Sequence, residues 1–80
     1  MYGHGEGHNV IISGKATHAQ GKYNIDSNEE FITSANPYGK YAHIVGGGTA
    51  QERKNIYTLD WDGNAQFAGN ISFPNTTNED

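Results

Sequence analysis

A repeated eight-residue pattern constrains this chain more than any other feature of its sequence. Gly-Lys-x-x-His-x-x-Gly occupies residues 14–21 and again 39–46, and a looser version, Tyr-Gly-His-Gly-Glu-Gly, occupies residues 2–7. When the three histidines are aligned, the glycines that follow them align as well. The first interval is 14 residues and the second is 25, which is one 14-residue unit with 11 residues inserted. Two packed helices need more chain than this, so the unit predicts one turn of a β-coil.

The alignment also predicts which side chains stack. Side chains alternate between the two faces of a strand, and neighbouring strands lie about 4.8 Å apart. One ladder would therefore contain the aligned histidines, and the next would contain the residues two positions later. These are His4, His18 and His43 for the first ladder, and Glu6, Gln20 and Val45 for the second. The apolar run at 10–12 would fill the other side of the first coil.

The apolar content is low for a self-sufficient core. Leu, Ile, Val and Phe together make up 13 of the 80 residues, glycine contributes 11, and there is no cysteine. Small proteins without disulfides often bury the missing surface by oligomerising. We therefore expect three copies of the chain around an axis. The residues expected in the trimer core or its stacks are Val10, Ile12, His18, Gln20, His43, Val45, Leu59 and Phe67.

The sequence predicts an all-β fold, with homotrimeric β-roll or β-helix-like coils of 14-residue repeats followed by a β-hairpin. Residues 1–48 form the coil region, with an insertion loop at about 26–38. Residues 49–73 form a connector and the hairpin, and residues 74–80 form a flexible polar tail. The connector has the only helical character, in a stretch too short to be a stable helix alone.

The hairpin register follows from keeping its apolar side chains on one face. A two-residue turn would divide these side chains between the two faces. A three-residue loop at 61–63, with Gly63 in a left-handed conformation, would instead pair Leu59 with Ala65 and Tyr57 with Phe67. We predict the three-residue loop.

Three stretches of the sequence together resemble a known family. The repeats "THAQGKYNI" and "GKYAHIVGGGT", followed by "NIYTLDWDGNAQFAGNI", resemble the His-Ala-Glu-Gly repeats and the adjoining segment of bacteriophage and prophage tail-fibre and minor structural proteins. The coil is also similar to the left-handed β-roll head repeats of trimeric autotransporter adhesins. The resemblance covers roughly residues 2–73. The chain departs from the pattern at Ile44-Val45, where Ala-Glu is usual, and in the 11-residue insertion.

The resemblance implies a structural or attachment segment of a phage tail fibre or baseplate appendage, located in the virion, with a role in host-surface recognition. The alternatives are a head-region fragment of a bacterial trimeric adhesin and a non-catalytic part of a polysaccharide-degrading tail protein. The expected partners are further copies of the chain and a host cell-surface receptor or glycan. The residues expected to make surface contacts are Glu29, Glu30, Phe31 and Tyr38.

Other classes of function are disfavoured. A net charge of -4 with only five Lys and Arg argues against nucleic-acid partners. No run of residues is apolar enough for a membrane span, and the first residues do not form a signal peptide. Because the chain starts inside a repeat, we expect it to be a segment of a longer protein. We expect no cofactor.

Metal binding is an alternative interpretation of the histidines. His4, Glu6 and His8 alternate in "HGEGH", so they would share a strand face with ligands that suit a transition metal. In a trimer, His4, His18 or His43 could instead hold an ion on the axis. Hydrogen-bonded ladders explain the same spacings, so we assign no firm metal site.

Catalysis is not expected. The carboxylate pairs Asp60/Asp62 and Glu29/Glu30 are neighbours in sequence, and such pairs seldom converge on a substrate. An aspartate at a hairpin tip is more simply a turn former. Aromatic side chains could stack on sugar rings or pack at chain interfaces, and the sequence leaves both open. These side chains are Tyr38, Tyr41, Tyr57 and Trp61.

Overall fold

The computed structural model describes residues 3–72, which form one five-stranded sheet. The strands are β1 His4–His8, β2 His18–Lys22, β3 Tyr41–Gly47, β4 Asn55–Asp60 and β5 Ala65–Phe67, and their order in the sheet is the order in the chain. A single turn of 3-10 helix, Glu29–Phe31, lies between β2 and β3. The all-β prediction is confirmed for the described residues. The predicted tail at 74–80 lies outside them.

The first three strands are parallel and pair in the register that the repeat predicts. His4 pairs with His18, which pairs with His43, and the aligned glycines also pair across the strands. Parallel neighbours need a connection that returns over one face of the sheet. Each repeat therefore supplies one strand and one return segment, and successive repeats lie side by side.

The chain leaves β1 and β2 by the same backbone corner. Asn9 and Tyr23 each follow their aligned histidine by five residues, and both have positive φ, 54° and 46°. The Tyr23 N–H donates to the His8 carbonyl at 3.0 Å, and the Gly48 N–H donates to the Lys22 carbonyl at 3.1 Å. The repeat thus extends to the backbone bonds that close each corner.

Asparagine side chains join the return segments to one another. Asn24 accepts the Ile11 N–H at 2.7 Å and donates to the Ile11 carbonyl at 2.8 Å. Asn55 makes the same pair of bonds to Ile25, at 2.8 and 3.0 Å. Ile11 and Ile25 occupy equivalent repeat positions, seven residues after their histidines. These side-chain amides therefore provide hydrogen bonds between the return segments, which do not pair as strands through their backbones.

The insertion at 26–38 is folded against the coil rather than projecting from it. Its Asn28 side chain is completely buried and bonds to the backbone of Lys40 and Tyr41 and to the Thr17 hydroxyl. At its far end, the Pro37 carbonyl accepts the Lys15 N–H at 2.9 Å. The insertion is thus anchored at both ends.

The connector after β3 contains a tight turn. Thr49 and Glu52 exchange two backbone hydrogen bonds, of 2.8 and 3.1 Å, and the chain enters β4 at Asn55. Residues 49–55, the stretch with helical character in the sequence, do not form a helix. The stretch is too short to be a stable helix alone, and its last residue, Asn55, belongs to β4.

The hairpin has the predicted register and loop. Tyr57 pairs with Phe67 and Leu59 pairs with Ala65, with Gly63 at φ 94°. The Asp60 carboxylate accepts the N–H groups of Asp62 and Asn64, both at 2.9 Å. These bonds, led by the one from Asn64, lower the pKa of Asp60. Asp60 is therefore a loop-capping residue.

The space between the sheet and the return segments is small and polar. Among the described apolar side chains, only Ala19 and Ile44 are fully buried. The buried polar side chains are Thr17, Asn24, Asn28 and Thr58. A single chain therefore gains little stability from apolar burial.

No helix in residues 3–72 is long and apolar enough to cross a membrane.

Candidate functional site

One face of the sheet carries a row of five aromatic rings, one from each strand. The ring centroids are 4.7 Å apart for His4 and His18 and 5.1 Å for His18 and His43. The row continues at 5.2 Å to Tyr57 and at 5.0 Å from there to Phe67. We call this side of the sheet the histidine face. It also includes Glu6, Gln20, Val45 and Leu59, which are assigned by strand pairing.

The structure divides the residues expected in the trimer core between two sides of the sheet. Six of them lie on the histidine face, namely His18, Gln20, His43, Val45, Leu59 and Phe67. Five of the six are half-buried, and Phe67 is 48% exposed. Val10 and Ile12 are half-buried on the opposite side, where a Cβ on Gly5 would lie 3.5 and 3.6 Å from their side chains. These two residues therefore pack inside the first coil.

Hydrogen bonds tie the ladder residues together in pairs. The Nε2 atom of His43 lies 3.0 Å from the Gln20 amide oxygen, and the Nε2 atom of His4 lies 2.9 Å from a Glu6 carboxylate oxygen. The bond from His4 and its charge lower the pKa of Glu6. Desolvation, with a smaller contribution from the charge of His18, lowers the pKa of His43. The neutral form of His43 is thus favoured in the folded chain.

His18 lies at the centre of the three imidazoles and differs from the other two. Its Nε2 atom is buried and has no hydrogen-bond partner among the described residues. Buried polar atoms are nearly always paired in folded proteins. The unpaired nitrogen is therefore a feature that calls for an explanation.

The structure changes the grouping of the candidate metal ligands. His8, the third member of the "HGEGH" set, is hydrogen-bonded to the Tyr23 hydroxyl at 3.2 Å. The ligand atoms that come together belong to His4, Glu6 and His18, and all lie within 4.8 Å of one another. Strand pairing explains this, because it places His18 directly beside His4. An ion on a trimer axis stays a prediction.

A second candidate site is a cleft between the insertion and the hairpin tip, which we call the aromatic cleft. It has a volume of about 860 Å³. Its lining comprises Ala16, Phe31, Asn36, Tyr38, Gly39, Lys40, Trp61 and Asp62. The indole N–H of Trp61 donates to the Tyr38 carbonyl at 3.2 Å, and the two rings meet edge to face at 6.0 Å. The backbone N–H of Trp61 donates to the Lys40 carbonyl at 3.1 Å, and this bond joins the hairpin tip to the residue that precedes β3.

The residues expected at a recognition surface fall in two places. Phe31 and Tyr38 line the aromatic cleft, whereas Glu29 and Glu30 are exposed beside a separate depression that also contacts Phe31. Trp61 also lines the cleft. The sequence placed it among the aromatic side chains that could stack on sugar rings, but not among the residues expected to make surface contacts.

The remaining aromatic candidates have packing partners elsewhere. Tyr57 belongs to the ring row, and Tyr41 meets the Phe31 ring edge to face at 6.2 Å. Of the four aromatic side chains considered for sugar stacking, Tyr38 and Trp61 are the pair that the fold brings together at a cleft.

Comparison of the chain with protein-family models, with curated proteins and with solved structures found no match. Its function must therefore be argued from the geometry of the histidine face and the aromatic cleft.

Proposed function

We propose that this chain is a structural and attachment module, a homotrimeric β-rich segment of a phage tail fibre or baseplate appendage. The observation that carries the proposal is the side-by-side pairing of the repeats as parallel strands in a constant register. Such an array is held by backbone hydrogen bonds, which suits a shaft that must resist mechanical load and proteolysis. The assignment to a phage tail is supported by the resemblance of the residue pattern to phage tail proteins.

The burial of apolar side chains in the single chain supports the trimer. Only two apolar side chains are fully buried among residues 3–72, while several large ones are more than two-fifths exposed. The exposed set is Ile11, Ile25, Tyr38, Ile56, Trp61, Phe67 and Ile71. Of this set, Phe67 lies on the histidine face, which also carries half-buried Val45 and Leu59 beside the ring row. Packing this face against other copies would remove apolar surface from water at about 25 cal/mol per Å².

The oligomer is tested by mass. Light scattering or sedimentation of the purified chain should give about three times the 8.7 kDa chain mass. Val45→Asp should reduce the mass to that of one chain, because it would place an unpaired carboxylate in the interface. Circular dichroism should show that the strands persist, since Val45 is only half-buried within the chain.

The matched control is Ile11→Asp, which introduces the same charge on a return segment rather than on the histidine face. Ile11 is 43% exposed and lies away from the histidine face. This variant should keep the trimer mass. A wild-type monomer at micromolar concentration would disprove the trimer, and a Val45→Asp variant with unchanged mass would show that the histidine face is not the interface.

We assign host-surface recognition to the aromatic cleft, with a bacterial surface glycan as the ligand class. Sugar rings present C–H faces that stack on aromatic rings, and hydroxyl groups that hydrogen-bond to polar side chains. The cleft offers both, with Trp61 and Tyr38 beside Lys40 and Asp62. The indole of Trp61 is fixed by its hydrogen bond to Tyr38 yet is 46% exposed.

Trp61→Ala tests this assignment. Binding to an array of bacterial surface polysaccharides should fall at least about tenfold, since a stacking contact of ~1.5 kcal/mol corresponds to that ratio. The hairpin should stay folded, because Asp60 caps its loop independently of the indole. Ile11→Ala, which removes an exposed apolar side chain outside both the cleft and the histidine face, should bind like wild type. Equal losses in both variants would count against the cleft.

The two alternative settings differ in simple observations. A bacterial adhesin head would have a membrane-anchor domain downstream in its gene, whereas a tail protein would be flanked by virion genes. If the chain belongs to a polysaccharide-degrading tail protein, release of reducing sugar should come from another part of that protein. Release by this chain would contradict its assignment as a non-catalytic module.

A further inference from the structure

We propose that His4, Glu6 and His18 form a binding site for a first-row transition-metal ion such as Zn²⁺, with one ion in each chain. Two imidazoles and one carboxylate are a donor set that Zn²⁺ commonly uses, leaving the fourth position to water. The site belongs to one chain. All three ligands lie at the β1 edge of the histidine face, and the proposal does not rest on the role in attachment.

The geometry of two paired strands assembles the site. His4 and His18 are direct partners in the parallel register of β1 and β2, and Glu6 lies two residues along β1 on the same face. The ligand atoms of all three residues lie within 4.8 Å of one another. Because Zn–N and Zn–O bonds are about 2.0–2.2 Å long, the three side chains must rotate to bring these atoms closer together on one ion.

In the single chain, the exposure of these residues allows an ion to enter. The side chains of His4 and Glu6 are 64% and 65% exposed, and His18 is half-buried behind them. An ion could therefore arrive from solvent, displace the His4–Glu6 hydrogen bond and be held against the sheet by His18.

The state of His18 is the second observation that favours a ligand. Its Nε2 atom is buried without a hydrogen-bond partner, while His4, His8 and His43 each have one. Burying an unpaired polar group costs about 1–3 kcal/mol. The Nε2 atom of His18 is therefore not engaged by another described residue and can serve as a ligand.

Binding would strengthen the weakest part of the coil. Within the described residues, β1 is an edge strand whose only strand partner is β2, and all its residues are exposed. An ion held by both strands would tie this edge to the sheet. Because the ion binds only the folded chain, stability should rise with its concentration.

The experiment is calorimetric titration of the metal-free 80-residue chain with Zn²⁺, with Co²⁺ absorption as an independent readout. We expect one ion per chain, a cobalt spectrum typical of tetrahedral coordination, and a higher melting temperature with Zn²⁺. Glu6→Gln should weaken binding by more than about 100-fold, because it removes a direct ligand from an exposed position without altering the packing. His18→Ala should do the same.

His8→Ala is the matched control, because it removes a histidine of the same strand that is not in the cluster. It should bind Zn²⁺ like wild type. The absence of binding at millimolar Zn²⁺ would overturn the proposal. So would an equal loss in His8→Ala and Glu6→Gln, or a ratio of one ion to three chains, which would instead indicate an ion shared on a trimer axis.

Discussion

Replacing Gly21 by alanine is expected to cost most of the folding stability of the chain. Gly21 lies in the central stack of aligned glycines with φ 100°, a conformation that L-residues rarely adopt. A Cβ at this position would lie 2.3 Å from the Gly46 carbonyl oxygen in the next strand. Backbone atoms cannot yield as a flexible side chain can, so β2 and β3 would have to separate. We expect a loss of several kcal/mol, on the order of the whole stability of a small domain.

The control for this change is Gly63→Ala in the hairpin loop. Gly63 also has positive φ, 94°, but no atom lies within 4 Å of the position its Cβ would take. This variant should lose only about 1 kcal/mol, from backbone strain. Urea unfolding followed by circular dichroism gives both values. Similar losses would mean that the close approach of the strands at Gly21 is not what requires glycine.

Removing the Asn28 side chain should have the second largest effect. Its amide oxygen accepts the Tyr41 N–H at 2.6 Å and the Lys40 N–H at 2.9 Å. Its amide nitrogen donates to the Tyr41 carbonyl at 2.9 Å and to the Thr17 hydroxyl at 3.0 Å. Asn28→Ala would leave these groups unpaired around a cavity. At about 1–3 kcal/mol for each unsatisfied buried group, we expect a loss of at least about 3 kcal/mol.

Asn28→Asp tests whether an acceptor oxygen alone can replace the amide group of Asn28. The aspartate keeps an oxygen for the two N–H groups but cannot donate, and its charge would be completely buried. It should therefore destabilise the chain about as much as alanine does. Asn36→Ala removes an exposed asparagine, with a 3.1 Å bond to the Gly39 carbonyl, and should cost less than about 1 kcal/mol. A small effect of Asn28→Ala would show that the insertion is not anchored through this side chain.

The strand register was predictable because it depends on local periodicity. His18 lies beside His4 and His43 since equivalent side chains in a repeat must face the same way. The same two-residue periodicity selected the hairpin loop, where pairing Leu59 with Ala65 keeps the apolar side chains together. Neither inference needed to know what packs above or below the sheet.

The return layer was not predictable in this way. Asn24 and Asn55 complete the backbone bonding of Ile11 and Ile25, yet nothing near them in sequence distinguishes them from ordinary loop asparagines. Val10 packs inside the first coil beside Gly5, on the side that the sequence predicted for the apolar run at 10–12. The asparagine contacts depend on where each return segment crosses the sheet, and this follows from several corners acting together.

The ligands of the candidate metal site were also predicted only in part. The sequence identified His4 and Glu6 as alternate residues of one strand, but it supplied His8 as the third ligand. In the fold, His8 binds the Tyr23 hydroxyl and His18 approaches from the neighbouring strand. The aromatic cleft likewise combines Tyr38 of the insertion with Trp61 of the hairpin, which are 23 residues apart.

The amino-acid sequence by itself determined the all-β class, the parallel register of the repeats and the phase of the hairpin. It could do so because alternation of side chains is a property of the extended backbone. Only the tertiary structure decided which asparagines replace the backbone ladder, how the insertion folds back and which ligands meet at His4. These depend on contacts between segments distant in sequence, and such contacts are fixed by the path of the whole chain.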